Sequence, residues 1–407
     1  MTLYLTREEE AMLNGEMGEA RQRALEIIVA LAKIYEAERL LPITSVQVSG
    51  VSYKNLGEAG LEFLEDWASS GATVTVPTTL NPAGIDLDDW AEVGFDKGFS
   101  EKQLKVIEVF KSLGITPTCT CTPYLAGNVP KFGDHIAWGE SSAVSFANSV
   151  IGARTNREGG PSALASAICG KTAAYGYHLD ENRKAKYKVN VEVEVESFSD
   201  FGALGYWTGI KLKNAVPFFT GIKKADNDLL KQLGAAAAAS GGIALYHIEG
   251  ITAEARAAEM LSEDYDELTF TADDLKEIYA ELNSGGNELD LVVFGCPHAS
   301  IEEIKYIASK VKGSKLKVPI WITSSKPVKE VAKRAGYDKL IEKAGGKILS
   351  DMCAVVAPMK SFGFKHIAVN SGKYLWYLRN QGFEIKFGST DECINAAIRG
   401  AWYDTKS

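Results

Sequence analysis

The chain has few cysteines, no long apolar run and no excess of positive charge, and each shortage removes a class of protein. Six cysteines in 407 residues are too few for a disulfide scaffold. They form no zinc-type Cys-x-x-Cys pair, and no His-Glu-x-x-His occurs, so the common metal motifs are missing. No run approaches the roughly 18 apolar residues that mark a bilayer-spanning helix, so no membrane partner is expected. The start, Met1-Thr-Leu-Tyr-Leu-Thr-Arg-Glu-Glu-Glu10, lacks a basic segment followed by an apolar one, so a cytoplasmic protein without a signal peptide is expected. Lys and Arg number 44 against 53 acidic residues, a net charge of −9, which argues against nucleic acid as the main partner. It leaves room for a local cationic pocket that takes one small anion. No Gly-x-Gly-x-x-Gly follows a predicted strand, and no Gly-x-Ser-x-Gly elbow is present. Gly170-Lys-Thr172 is not a phosphate loop: Ala165 stands where its first glycine is required, and the triplet follows a helical pattern instead of opening one.

What is present is an alternation of helix and strand patterns. Thr6 with Glu9 fits a capping box. Ala24, Ile27, Ile28, Leu31, Ile34 and Tyr35 follow a helical stripe that Gly15 interrupts upstream and Pro42 stops. Strands are expected over 43–51, 72–76 and 115–122, with helices over 58–67 and 101–113. Further strands are expected over 289–294, 318–322, 347–349, 366–369 and 383–387, alternating with helices over 300–311, 328–335 and 372–379. Such alternation means a largely parallel sheet covered on both faces. The segment 186–197 alternates Val with mostly charged residues and reads as a half-exposed strand. The five alanines 235–239 read as helix filler. The Gly- and Ser-bearing stretch 281–288 reads as a connector, dividing a region 1–285 of more than one α/β lobe from a C-terminal α/β lobe 286–407.

Between Asn128 and Arg183 polar residues and glycines mingle with enough Ala, Val and Ile to pack. Such a stretch is either a hydrogen-bonded structural network or a site. Three cysteine positions fall at predicted strand ends: Cys119 with Cys121, which would share a strand face, then Cys296 and Cys353. Ligands bind outside the C-terminal strand ends of open α/β sheets, so these positions suit metal or cluster ligation. The competing reading is a set of small buried apolar residues, the role expected for Cys169 and Cys393. A cluster held by three thiolates leaves an iron open as a Lewis acid, a basis for dehydration.

The strings Ser49-Gly-Val-Ser-Tyr53, Asn81-Pro-Ala-Gly84, Cys121-Thr-Pro-Tyr124, Glu140-Ser-Ser-Ala-Val144, the segment 152–162, His178-Leu-Asp-Glu-Asn182, Gly295-Cys-Pro-His298 and Ser371-Gly-Lys-Tyr374 resemble aconitase X. More narrowly, they resemble its archaeal branch that dehydrates 5-phosphomevalonate. The likeness runs in order from about Leu3 to the C-terminus. It implies an aconitase-like, multi-lobed three-layer α/β fold with mostly parallel sheets. It also implies a [4Fe-4S] cluster on Cys121, Cys296 and Cys353, with [2Fe-2S] and [3Fe-4S] as alternatives. The implied reaction is loss of water from (R)-5-phosphomevalonate to give trans-anhydromevalonate 5-phosphate in a modified mevalonate route to isoprenoids. The implied substrate contacts are Gly50, Val51, Ser52, Asn81, Pro82, Glu140, Ser141 and Lys373, with Glu140 and Ser141 catalytic.

By themselves, Lys373 reads as a solvated lysine or a phosphate-binding charge, and Glu140 as a proton handler or a helix-start carboxylate. The resemblance further implies a separate small swivel-domain subunit that supplies a catalytic serine, since no such domain is recognised after the helix at Thr390. The large chain alone is then expected to be inactive. Ordinary aconitases carry a Cys-x-x-Cys pair that this chain lacks. The alternatives are dehydration of cis-3-hydroxy-L-proline within the same family, a structural scaffold with core cysteines and, more distantly, a cluster-linked RNA-binding protein.

Overall fold

The computed structural model describes residues 2–255, 261–283 and 286–403. Ser284 and Gly285, within the expected connector and at the expected lobe boundary, lie outside them, as do Met1 and 404–407 at the ends of the two regions. Twelve of its strands form three parallel sheets, and Leu40–Pro42 pairs antiparallel with Lys171–Ala173. The first parallel sheet places Val46–Val48 between Thr78–Leu80 and Ala137–Trp138. The second runs His247–Ile248, Pro217–Thr220, Ala185–Val191, Leu261–Phe270. The third has five strands in the order Lys347–Ser350, Ile320–Ser324, Leu291–Phe294, His366–Val369, Glu384–Phe387.

The five-stranded sheet explains its own apolar runs. Val292, Phe294, Ile320, Ile322, Ile348 and Ala368 face one core. Leu291, Val293, Trp321, Leu349, Ile367 and Val369 face another, shared with the second sheet through Phe219, Tyr246 and Trp207. Successive residues point to opposite faces, so a strand buried on both sides must be apolar at every position. A separate core around Leu25, Ile28, Trp67 and Phe110 supports the first sheet. No helix among the described residues is long and apolar enough to cross a membrane.

Several expectations hold and several fail. Thr6 and Glu9 form the capping box, and the break after Leu13 falls at Gly15. The expected strand over 72–76 is instead Thr78–Leu80. The expected strand over 115–122 is an irregular extension bridged to Thr78–Leu80 only at Thr116. Pro117 removes a ladder donor there, and Cys119 turns the chain at φ 41°. The alternating segment forms a strand only over Ala185–Val191. It is flanked by parallel neighbours on both sides, and Val193 and Val195 pack on the core beyond its end.

The alanine run is more than filler. Ala235–Ala238 are buried where Asn227–Gly241 packs on Phe198–Leu212. A Cβ at Gly205 would lie 2.3 Å from the Leu233 carbonyl oxygen, so small residues on both helices permit the close approach. Gly372 repeats the device: its added Cβ would lie 2.7 Å from the Gly202 carbonyl, seating Gly372–Asn380 on the same helix pair.

Buried polar bonds join the first sheet's region to the five-stranded sheet. Asp86, with no exposed surface, accepts from the Ser350 backbone N–H at 2.7 Å and from Lys329 Nζ at 3.1 Å. Lys329 is held by Asp89 as well, at 2.7 Å, so losing Asp86 removes buried charge-assisted bonds to Lys329 and to the Ser350 N–H without leaving the lysine unpaired. Asp86→Ala is therefore expected to destabilise the protein by roughly 1.5–3 kcal/mol in urea unfolding. Asp86→Ala with Lys329→Met should regain part of that loss; a double variant as unstable as the single one would refute the pairing argument.

Candidate active site

Six strands of the first and third parallel sheets end at one cavity of about 210 Å³. Ser49 and Gly50 follow Val46–Val48, Asn81 and Pro82 follow Thr78–Leu80, and Gly139, Glu140 and Ser141 follow Ala137–Trp138. From the third sheet, Cys296 follows Leu291–Phe294 and Cys353 follows Lys347–Ser350. Lys373 opens the helix after His366–Val369. Cys121 completes the set from the irregular extension. Where each parallel strand stops, its backbone no longer pairs and its loop is free to face a ligand.

Nine of the eleven expected site residues line this cavity: Gly50, Asn81, Pro82, Cys121, Glu140, Ser141, Cys296, Cys353 and Lys373. Val51 and Ser52 do not. Val51 is buried in the first core. Ser52 caps Tyr53–Ser69, and its hydroxyl donates to the Val356 carbonyl at 2.7 Å. Cys119 is also turned away, into the first core, because its positive φ breaks the two-residue alternation that would have aligned it with Cys121. Cys169 and Cys393 are buried, as expected of core residues.

The polar centre is an ion pair between Lys373 and Glu140, joining the two sheets. Glu140 caps Ser141–Phe146, accepting from the Ser142 backbone N–H at 3.3 Å. Asn81 Nδ2 donates to its other oxygen at 2.9 Å, and Lys373 Nζ also donates to Ser142 Oγ at 3.1 Å. Burial opposes the Glu140 charge, but Lys373, the Ser142 N–H and Arg157 hold the carboxyl at about 2. Burial likewise opposes the Lys373 charge, and Glu140 with the thiols of Cys296 and Cys121 raises it above the ordinary lysine range.

The thiols are unpaired and buried. Burial pushes Cys121 and Cys296 up. Cys353 is pulled down, first by the hydrogen bond it receives from Cys296. No three His, Cys, Asp or Glu side chains among the described residues are grouped to hold a single metal ion. Thiols presented to one cavity by three separate loops instead suit a cluster, where each cysteine ligates a different iron. The soft, buried donor set fits such a group.

Several neighbours of the cavity carry no role legible in the sequence. Arg157 lines the cavity and forms no ion pair with a described carboxylate. Ser49 Oγ and Asn81 Oδ1 are buried without a hydrogen-bond partner among the described residues. Gln103 donates to the Val51 carbonyl at 3.0 Å and accepts from the Gly84 N–H at 2.9 Å, bracing two of the loops. His298 bridges the cysteine loops. Arg157 and His298 sit within strings already singled out, whereas Gln103 carries no local signal. A larger hollow of about 770 Å³ lies beyond Ala185–Val191 and contains none of these groups.

Models of the aconitase X first, second and third domains match residues 2–181, 185–280 and 289–399. The chain is 51% identical over 402 residues to the phosphomevalonate dehydratase large subunit of Methanocaldococcus jannaschii, covering 96% of this chain and 99% of that one. It is 50% identical to the protein of that name from Thermococcus kodakarensis, covering 97% and 100%. Cis-3-hydroxy-L-proline dehydratase of Pseudomonas aeruginosa is more distant, at 33% identity, with 96% of this chain and 69% of that one covered. The crystal structure of Thermococcus kodakaraensis aconitase X in its holo-form superposes with a TM-score of 0.92 at 50% identity, covering 97% and 100%.

The ion pair sets a pH signature. Glu140 is lowered from 4.5 to about 2, so its stabilisation is complete above the ordinary carboxylate value and lost as pH falls through the lower one. The Tm difference between wild type and Glu140→Gln is expected to stay constant from about pH 7 to about pH 5 and to narrow below that. A difference unchanged down to about pH 3 would show that the pair does not form.

Proposed function

The chain belongs to the aconitase X family, and from that premise we propose that it is the large subunit of a hydro-lyase that dehydrates (R)-5-phosphomevalonate. The product is trans-anhydromevalonate 5-phosphate, and the setting is a cytoplasmic, modified mevalonate route. The observation that carries this reading is the meeting of Cys121, Cys296 and Cys353 with Lys373 in one cavity. The relatives named for phosphomevalonate align over nearly their whole length, which favours this substrate over cis-3-hydroxy-L-proline.

Cys121, Cys296 and Cys353 would hold the cluster, proposed as [4Fe-4S]. When bound, such a group supplies a Lewis-acidic iron that makes a hydroxyl a better leaving group. The chain's own residues bind and orient the substrate. Apart from the thiols and the neutral phenol of Tyr377, the ionisable lining is two cations, Lys373 and Arg157, against the single carboxylate Glu140. This local positive excess suits an anionic substrate despite the net −9 of the whole chain. Arg157 is the cation free to form charge-assisted bonds with a phosphate or carboxylate. The buried Ser49 Oγ and Asn81 Oδ1 gain partners once polar substrate atoms reach them.

Glu140 is a poor proton acceptor at neutral pH, because its carboxylate is held at about 2. Its proposed role is to fix Lys373, Ser141 and Ser142 around the departing oxygen. No other carboxylate or histidine lines the cavity among the described residues. The family resemblance implies that the base that takes the proton from the carbon beside the carboxylate comes from a second chain. We assign it to a serine on a small swivel-domain subunit. The cavity shares Asn55, Val355, Val356 and Tyr377 with a hollow of about 640 Å³, which gives that partner an approach.

Anaerobic co-expression with the candidate small subunit, followed by iron and sulfide analysis and assays on both substrates, tests the reading. Cys121→Ser, Cys296→Ser and Cys353→Ser should each lower bound iron, and the large chain alone should not dehydrate phosphomevalonate. Iron content unchanged in all three variants would exclude the cluster, and turnover by the large chain alone would exclude an essential serine from the partner. Lys373→Met should lower kcat/KM by about 10²-fold or more. Arg157→Gln should raise KM for the phosphorylated substrate about ten-fold with little change in kcat, the loss of one charge-assisted contact. An unchanged KM would remove Arg157 from the substrate's contacts.

A further inference from the structure

We infer that His298 is the positioning residue that fixes the three cysteine-bearing loops relative to one another and tunes the group they hold. The inference rests on the assignment of Cys121, Cys296 and Cys353 as cluster ligands. His298 has no exposed surface, and all four of its polar atoms are engaged. Its backbone N–H donates to Cys121 Sγ at 3.2 Å. Its Nε2 lies 2.8 Å from the carbonyl oxygen of Met352, the residue before Cys353. Its Nδ1 lies 2.9 Å from the hydroxyl of Thr120, the residue before Cys121. The residue itself stands two positions after Cys296.

The partners fix the ring's tautomer. A carbonyl only accepts, so Nε2 carries the proton and Nδ1 receives one from Thr120. The Thr122 hydroxyl, 3.1 Å away, then donates to Thr120 Oγ1. The result is a one-way chain from Thr122 through Thr120 and His298 to the Met352 carbonyl. The His298 carbonyl accepts from the buried Lys231 Nζ at 3.3 Å. Lys231 is itself held by Glu303 and, at 2.8 Å, by Asp228.

Cys121 arrives from the first sheet's region, and Cys296 and Cys353 leave separate strands of the third sheet. One neutral imidazole reaches across this junction because its two nitrogens lie on opposite edges of a rigid ring. An amide cannot do so, since both its polar atoms sit at one end of the side chain. The N–H bond to sulfur adds an electronic effect: hydrogen bonds to cluster sulfurs favour the reduced form. That bond is the backbone's, so the ring acts on it by holding residue 298 where its N–H meets Cys121; a histidine that merely fills core volume would leave that placement unchanged when replaced.

The test uses the anaerobically purified complex of both subunits. His298→Asn keeps an amide near the Thr120 contact, His298→Gln keeps one near Met352, and Thr120→Val removes the hydroxyl while leaving the ring. His247→Asn is the control, altering a buried histidine bonded at 2.8 Å to the Arg183 carbonyl. The readouts are iron and sulfide per chain, the rate of iron loss to a chelator, the electron paramagnetic resonance spectrum after reduction, and the midpoint potential. The three test variants are expected to lose iron about ten-fold faster than wild type, with altered spectra and more negative potentials, while the control changes only Tm. Folded test variants that match wild type in loss rate and spectrum would overturn the inference. If the His298 variants do not fold, Thr120→Val decides it on the same readouts. A wild-type complex without iron would overturn the cluster assignment and this inference together, whereas iron-bearing wild type with unshifted variants would overturn this inference alone.

Discussion

The site depends on one constraint: parallel strands stop pairing at their carboxyl ends, and two parallel sheets bring those ends together. Ser49, Asn81 and Glu140 follow strands of one sheet, and Cys296, Cys353 and Lys373 follow strands of another. The sheets can meet this way because their bodies are secured elsewhere. The five-stranded sheet is apolar on both faces and embedded between two cores. Its loops carry the polar and thiol groups, with Cys296 and Cys353 both packed against that core and lining the cavity. Both Cys296 and Cys393 are buried in cores, and Cys296 alone of the two also faces the cavity.

The junction is closed by polar side chains that seek backbone groups across it. Ser52 donates to the Val356 carbonyl, Ser371 to the Cys296 carbonyl, and Asp86 accepts from the Ser350 N–H. Each bond satisfies a group that burial would otherwise leave unpaired. Together they fix loops that have no regular structure of their own. The Lys373–Glu140 pair is the charged counterpart. Its two halves come from different sheets, and neither is comfortable buried without the other. It places a cation in the cavity while holding the nearest carboxylate ionised. The outcome is a cavity rich in polar binding groups whose one carboxylate is committed to a cation.

Much of this was legible in the sequence because it depends on local pattern. The strands Leu291–Phe294, Lys347–Ser350 and His366–Val369 stand where apolar runs alternate with helical periodicity. Cys296, Cys353 and Lys373 fall just beyond them, so the strand-end rule pointed to loops that meet at one cavity. It failed at Cys119, where a proline and a positive φ replaced the expected strand and sent neighbouring thiols to different places. It also undervalued the alanine run, whose small size matters only against the glycines of the facing helix. At Val51 and Ser52 the motif is present while their side chains serve the core and a helix cap, which leaves only their backbone groups for a ligand.

The sequence by itself determined the class of protein: an acidic α/β chain, mostly parallel, with thiols at strand ends and the ordered motifs of one family. Those features are local in the chain: composition, periodicity and spacing record the charge, the alternation and the strand-end thiols, and the likeness of the ordered strings points to the family. Only the tertiary structure decided which thiols share a cavity, which cation is neutralised and which is free, and which histidine joins the loops. His298 contacts Thr120 and Met352 across separations of 178 and 54 residues, and Lys373 meets Glu140 across 233. No spacing rule encodes such contacts, because they follow from how whole sheets pack rather than from the residues beside them in the chain.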